Sequence, residues 1–448
     1  MTALPGRPRS SLFDPARFRR AVDRIARRRE ASPTVLSLEQ DGVSLATLWK
    51  RKRRFARLLV DELVAGGPAP APGRAYRVRI EGKERTLYAF PVVEMVIQTA
   101  VAEWLGEESA GGLSSRLYSY RAGVPYHRAV RDLARFLGAH RRARQDPRQR
   151  GVFVLRRDVR SYFDSIPVGP DSPLWRILGE AIGPTAADGA TWTLVERAVR
   201  PKLVDDLGEE LVLRRGIPTG SPVANVVANL YLAALDRDLA ALPGGFYARY
   251  GDDLLAAHAD PEAARTMHRL FADHFQASGL GSHPDKTKDL YLTAAGRPSP
   301  EWPAARPATA VEFLGHRVSA GGAVSLSAAK TRRLLRDLRR RAEQAVEAAR
   351  LTDDEQRILR AVAAVNRCLD ADDLLAHPYA PLLRSAVTDR SYLKWLDHEA
   401  ALTLLEAALR RRSVRWFQRY PPRALRERFG YRSLVAARNR TGGGESRG

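Results

Sequence analysis

Tyr250-Gly251-Asp252-Asp253 sits within residues 246–258, where apolar residues lead up to two adjacent aspartates and an apolar run then resumes. That pattern reads as a strand, a tight turn carrying paired carboxylates, and a returning strand. Neighbouring carboxylates repel unless a cation holds them, and hard Mg2+ suits such oxygen donors. Upstream, residues 153–166 form a second strand that ends on Asp158 and turns into a segment carrying Tyr162, Phe163 and Asp164. Two-metal nucleotidyl transfer needs carboxylates from separate strands brought to one place. Asp158, Asp252 and Asp253 are the candidates for that set. Taken alone, the Asp-Asp pattern has a plainer reading, a solvated turn. Between them, Gly216-Ile217-Pro218-Thr219-Gly220-Ser221-Pro222 runs into the apolar stretch 223–232. A Gly/Pro-rich loop entering a helix leaves N–H groups free and lets another chain approach closely.

These segments, in this order, resemble the palm motifs of reverse transcriptases, above all the bacterial group II intron, retron and diversity-generating branches. Residues 85–91 with 96–101 are similar to the fingers segment preceding those palms, and 117–123 continuing to 129–130 to the next fingers block. Residues 279–288 and 311–315 resemble the late palm motif and the primer-grip turn. The resemblance covers roughly residues 76–320, and seven ordered blocks are far more specific than any one alone. It implies an α+β fold of right-hand polymerase type, with fingers, an antiparallel-sheet palm and a helical thumb. It implies further an RNA-directed DNA polymerase that uses two Mg2+ ions, with Mn2+ as a substitute, an RNA template, a DNA or RNA primer, and deoxynucleotides.

Residue by residue, the resemblance assigns both metals to Asp158 and Asp252, with Asp253 the weaker carboxylate, and charge donation to pyrophosphate to Lys286 or its neighbour Lys288. The incoming nucleotide is expected to meet the backbone at Val159, the loop Pro218-Thr219-Gly220, and Arg85 with Arg79, because arginine suits bidentate phosphate binding. Phe163, five residues beyond Asp158, is the expected aromatic gate under the sugar, where a bulky ring excludes a 2′-hydroxyl. Nucleic acid is expected at Arg121, at Phe313-Leu314-Gly315, and along Arg332, Arg336 and Arg340. Two positions depart from the pattern: Thr219 stands where many relatives carry Gln, and Gly251 where Ala, Val or Met is usual. Gly-Asp-Asp also marks viral RNA-dependent RNA polymerases, but those lack the Pro-x-Gly-Ser-Pro loop and the aromatic at the Phe163 position. The balance favours a DNA product.

Composition agrees with a polyanion partner. The 448 residues hold 74 Lys and Arg against 51 Asp and Glu, a net charge of +23, the electrostatic footprint of a nucleic-acid binder. No apolar run is long enough to span a bilayer and no signal peptide is visible, so no membrane role is expected. The single cysteine, Cys368, excludes an intrachain disulfide, and the 9 histidines lack zinc-ligand spacing. A bacterial cytoplasmic location is the simplest expectation.

The elements that must position these residues divide as follows. Residues 1–75 read as a basic helical extension and Gly/Pro linker, 76–157 as fingers opening on a hairpin, and 158–322 as palm. An insertion at about 168–215 mixes helix with a short charged hairpin. Residues 323–436 form a helical thumb, and 437–448 a disordered tail. The basic runs at residues 17–29 and 49–54 read either as solvated helix faces or as RNA contacts. Residues 411–420, mixing arginines with aromatics, read either as a core-facing edge or as a base-stacking surface. No segment reads as an endonuclease, integrase or ribonuclease H. By analogy with the bacterial branches, the resemblance implies a stand-alone enzyme working with its own noncoding RNA, in anti-phage defence. Two alternatives stand beside it: a template-independent or RNA-synthesising polymerase of the same fold, and a non-catalytic RNA-binding or maturase-like scaffold.

Overall fold

A computed structural model describes residues 11–29, 39–40, 43–66, 71–80, 82–121, 123–143, 151–183, 188–370, 372, 377–411, 413 and 415–435. Helix α1 (Pro15–Arg29) buries Phe18, Ala21, Val22, Ile25 and Ala26 along one face, the i, i+3, i+4, i+7 stripe of an amphipathic helix. That face packs on α2 (Lys52–Val64) and on α3 (Val92–Ser109). Much of the first basic run is used internally. Arg17 is fully buried on Glu107 at 2.8 Å, Arg24 meets Glu103 at 3.0 Å, and Asp23 takes Lys52 and Trp49. Arg27 and Arg28 remain exposed.

The expected hairpin is β1 (Gly73–Ile80) with β2 (Lys83–Ala89), paired from Arg74↔Ala89 to Ile80↔Lys83. After α3 and α4 (His127–Arg142) comes the sheet carrying the aspartates: β3 (Val152–Asp158), β4 (Phe246–Tyr250), β5 (Asp253–His258), β6 (Lys288–Leu292) and β7 (Arg306–Ala308). Its order is β7-β6-β3-β5-β4, with β3 central. All pairs are antiparallel except β6–β7, which run parallel. The expected antiparallel palm thus ends in one parallel edge, because residues 293–305 cross back before β7 begins. Trp302 in that crossing packs 5.6 Å from the Phe153 ring. The run Val152-Phe153-Val154-Leu155 is apolar without alternation because both faces of β3 are covered. Phe153 and Leu155 join one core with α3 and α7 (Pro261–Ser278), while Val152 and Val154 join another with α4.

Residues 168–215 hold helices Pro173–Ile182 and Gly189–Val199 and a short strand, Leu203–Val204, that extends the fingers hairpin beside β1. Helices α5 (Ala224–Tyr231) and α6 (Ala233–Ala240) lead into β4. Beyond the palm, β8 (Ala310–Phe313), β9 (His316–Ser319) and β10 (Val324–Leu326) form a small antiparallel sheet. Helices α8 (Ala328–Ala348), α9 (Asp354–Leu369) and α10 (Arg390–Leu409) follow, closing on their own core of Leu334, Leu338, Val365, Leu396 and Leu404. Trp416 and Phe417 pack against that core and Tyr420 is buried. These aromatics of the 411–420 segment therefore face inward rather than offering a stacking surface. The expected disordered tail lies outside the described residues. Among the described residues, no helix is long and apolar enough to cross a membrane. The architecture is the α+β fold of fingers and palm that the resemblance implies, followed by a helical unit.

Candidate active site

The register of β3 against β5 sets Asp158 directly opposite Asp253, and cross-strand partners project to the same face. Tyr250 pairs with Asp253 at the end of β4–β5, so Gly251 and Asp252 are the two central residues of the turn. Gly251 has φ +63°, while Asp252 has no positive φ, the pattern of a II′ turn with glycine first. Glycine here is thus the residue that the turn geometry favours. The turn is tied to β3 by Val159 N–H, which donates to Asp252 O at 2.9 Å, and His283 N–H, from the segment before β6, donates to Asp158 O at 2.8 Å. The three aspartates converge as expected.

Each carboxylate has a different electrostatic setting. Asp158 is buried and accepts from Lys286 Nζ at 2.8 Å. Asp253 accepts a two-pronged contact from Arg156, Nε and one terminal nitrogen each at 3.1 Å. Burial pushes the Asp253 carboxyl above the ordinary range, against the pull of Arg156. Asp252, at the exposed turn, is also pushed up, by desolvation first and then by the charges of Asp158 and Asp253. It has no cationic partner of its own among the described ion pairs; its own backbone N–H and then Lys286 nearby oppose the rise. Among the described residues, no three His, Cys, Asp or Glu side chains enclose a metal by themselves. Mg2+ is ordinarily held by one or two carboxylates plus substrate phosphates rather than by an all-protein cage. An all-oxygen donor set with one crowded, uncompensated carboxylate fits that ion.

The segment expected to carry the gate lies beside this cluster. Phe163 lies in the short helix Tyr162–Ser165, half-buried, and its ring meets the Tyr120 ring edge-on at 6.2 Å. Ile217 N–H donates to Phe163 O at 2.9 Å, which docks the glycine-rich loop on the gate. In that loop Pro218 is buried, whereas Thr219 and Gly220 are exposed. Thr219 O accepts from Tyr88 N–H at 3.3 Å, joining the loop to β2. A cleft of about 370 Å³ opens here between Phe163, Tyr120, Thr219, Ser221 and the end of α1 at Arg28 and Arg29.

Three nucleotide-binding expectations need correction. Val159 is 1% exposed and its N–H is already bonded to Asp252, so it has no free donor. Pro218 is a buried support of its loop and not a contact surface. Arg85 pairs opposite Val78 while Arg79 pairs opposite Glu84. Alternation therefore points the two arginines to opposite faces of the hairpin. Arg85 acts on Asp164 of the gate segment, opposing the upward push that burial gives that carboxyl. Arg79 is exposed at the hairpin tip, with a long 3.5 Å contact to Gly82 O.

Nucleic-acid expectations divide similarly. Arg121 turns inward, donating to Ser114 O at 2.9 Å, and so clasps its own loop. Phe313 is fully buried in the core and cannot meet a ligand. Leu314 and Gly315 do form the turn between β8 and β9, with φ +49° and +71°. Arg332, Arg336 and Arg340 are exposed on α8 at four-residue spacing, one stripe along one face. The sequence reading missed Arg156, Tyr120, Tyr126 and Lys330. Arg156 had a signal: it stands two residues before Asp158 on one strand, hence on the same face. For the rings there was none, because Tyr120–Tyr250 (6.3 Å) and Tyr250–Tyr126 (6.2 Å) are long-range contacts.

Residues 78–318 match the family described as reverse transcriptase (RNA-dependent DNA polymerase). No curated protein matches the sequence. Among solved structures, apo telomerase from Candida tropicalis aligns with TM-score 0.47 and 10% identity, over 85% of this chain and 63% of that one. A form of it truncated from the C-terminal domain aligns at 0.44 and 8%, over 61% and 60%. Telomerase from Candida albicans in complex with a fragment of telomeric RNA aligns at 0.42 and 11%, over 75% and 59%. This chain spans about three-fifths of the length of these chains.

Proposed function

The chain belongs to the reverse transcriptase (RNA-dependent DNA polymerase) family, and from that premise we propose that it extends a primer with deoxynucleotides on an RNA template. The observation that carries this reading is the register setting Asp158 beside Asp253, with Asp252 exposed on the adjoining turn. Asp158 and Asp252 are the residues that would hold Mg2+, which when bound supplies a more acidic 3′-hydroxyl and neutralises triphosphate charge. Lys286 sets a positive charge against Asp158 and is the residue assigned to give charge or a proton to a departing pyrophosphate oxygen. Arg156 takes up the charge of Asp253 and fixes its carboxylate along the strand. Phe163 and Tyr120 form an apolar wall that positions the sugar, and Arg85 faces the gate segment with a fork suited to phosphate oxygens. The exposed arginine stripe of α8 suits phosphate contacts that position a duplex without reading its sequence.

Primer extension with purified protein, Mg2+ and an RNA template tests the reading. Template-directed incorporation of deoxynucleotides is expected. Incorporation that ignores the template would point to a terminal transferase, ribonucleotide preference to an RNA polymerase, and none at all to a binding scaffold. Phe163→Val is expected to weaken discrimination against ribonucleotides by about ten- to a hundredfold, since a pocket rejects small added groups by about that factor. The ratio of kcat/KM for matched deoxy- and ribonucleotides measures it. A bacterial affiliation, cytoplasmic location, a dedicated noncoding RNA template and a role in anti-phage defence extend the same proposal. Their support is the motif resemblance to the bacterial branches, and sequencing RNA that copurifies with the protein tests them.

A further inference from the structure

Lys330, in the first turn of α8, is half-buried and points away from the exposed arginine stripe. Its ammonium lies 5.4 Å from the ring centres of both Tyr126 and Tyr379 and donates to Leu314 O at 3.0 Å. Three parts of the molecule meet there. Tyr126 leads into α4, Leu314 belongs to the β8–β9 turn, and Tyr379 lies in the helical domain. The turn is shaped to receive the side chain. A Cβ on Gly315 would fall 2.2 Å from Lys330 Cε, and Ser327 N–H bonds Gly315 O at 3.1 Å. Tyr126 also continues the contact inward, its ring meeting Tyr250 of the aspartate turn at 6.2 Å and His316 at 6.2 Å. Burial and the Lys330 charge push the His316 imidazole down to about 4, so this neighbour stays neutral beside the lysine.

We propose that Lys330 is a positioning residue: its ammonium, held between Tyr126 and Tyr379 on Leu314 O, locks the Leu314-Gly315 turn and the Tyr250 hairpin to the thumb in the geometry that grips a primer–template duplex. A lysine in this place is better suited than an apolar residue of similar length. Cation–π attraction to two rings and a carbonyl bond act together on one partly desolvated group. The grip on the duplex rests on the polymerase reading above, whereas the locking of the turn does not.

Lys330→Met preserves length and apolar volume while removing the charge. Duplex affinity, read by anisotropy of a labelled RNA–DNA hybrid, is expected to fall about 10- to 30-fold. KM for the deoxynucleotide should stay within about twofold, because the gate is untouched. Hydrogen exchange over residues 313–327 should rise, the melting temperature of the whole chain should barely move, and Tyr126→Leu combined with Lys330→Met should cost clearly less than the sum of the two single losses. Tyr379→Leu, which removes one ring and leaves the lysine, should weaken duplex binding in the same direction. Wild-type affinity and exchange in Lys330→Met, or fully additive losses with Tyr126→Leu, would overturn the proposal. If even the wild type binds no duplex, the polymerase reading fails instead. The exchange measurement still decides the lock, a rise supporting it and unchanged protection refuting it.

Discussion

Replacing Asp252 by asparagine is expected to reduce nucleotide incorporation by about a thousandfold or more while making the free protein slightly more stable. The loss follows from the position of the residue. Asp252 is the exposed carboxylate of the set, without a cationic partner of its own among the described ion pairs, and so the one most available to an ion carrying a triphosphate. Charge neutralisation of that kind is worth several kcal/mol, and about 4 kcal/mol corresponds to roughly a thousandfold in rate. The gain in stability follows from the same crowding. Its carboxyl is pushed up by desolvation and by Asp158 and Asp253, so ionisation opposes folding at neutral pH. Asparagine removes that opposition. The gain from Asp253→Asn should be smaller, because that carboxyl, also pushed up by burial, is pulled back by Arg156, and the asparagine loses that two-pronged contact, worth about 1–3 kcal/mol. Melting curves separate the two variants, and Mg2+ with a deoxynucleotide should raise the melting temperature of wild type but not of Asp252→Asn. Equal stabilisation of both proteins by Mg2+ would remove Asp252 from the ion site.

Asp236→Ala is expected to destabilise the protein by about 3–5 kcal/mol, the cost of leaving a buried charge unpaired. Arg249 and Asp236 are both 0% exposed, joined by bonds of 2.7 and 2.6 Å. Tyr247 donates to the same carboxylate at 2.8 Å, and Arg249 also reaches Asn229 O at 2.8 Å. This knot fastens β4 to α6 directly below the aspartate turn. On its other side, Arg249 exchanges backbone bonds with Arg116 and Tyr118, which lay the fingers segment along the sheet edge. A denaturant midpoint measures the loss. Replacing Arg249 and Asp236 together by apolar residues of similar volume should restore most of it, since a missing pair costs less than half of one.

The sequence made the hairpin at residues 246–258 and the strand ending at Asp158 legible because local alternation and turn chemistry coincide there. The β1–β2 hairpin, α3, α4 and the long C-terminal helices were legible for the same reason, periodicity that needs no distant partner. What escaped was set by contacts far apart in sequence. Nothing local distinguishes Arg17, buried on Glu107, from Arg28, which is exposed. Nor does a motif say that Phe313 enters a core while Leu314 forms the turn, or that Arg121 folds back on its own loop. The opposite facing of Arg79 and Arg85 was within reach. Counting residues from the hairpin turn fixes their parity, and the phosphate expectation passed over it. The parallel pairing of β7 was not legible, because an edge strand of three residues, Arg306–Ala308, carries no pattern of its own.

The central place of β3 bears on how the protein is made. Both neighbours of β3 lie far downstream, β5 from Asp253 and β6 ending at Leu292. A ribosome adding 5–20 residues per second needs roughly 7–27 s to pass from Asp158 to Leu292. Until β5 is made, roughly 5–19 s of that interval, the apolar strand Val152-Phe153-Val154-Leu155 has neither sheet neighbour, and open apolar edges are templates for pairing with other chains. Nascent chains arrested between Asp158 and Asp253 should therefore be the aggregation-prone and chaperone-bound ones. Catalytic competence arrives late and all at once, when β5 and β6 close on a strand that has waited for both.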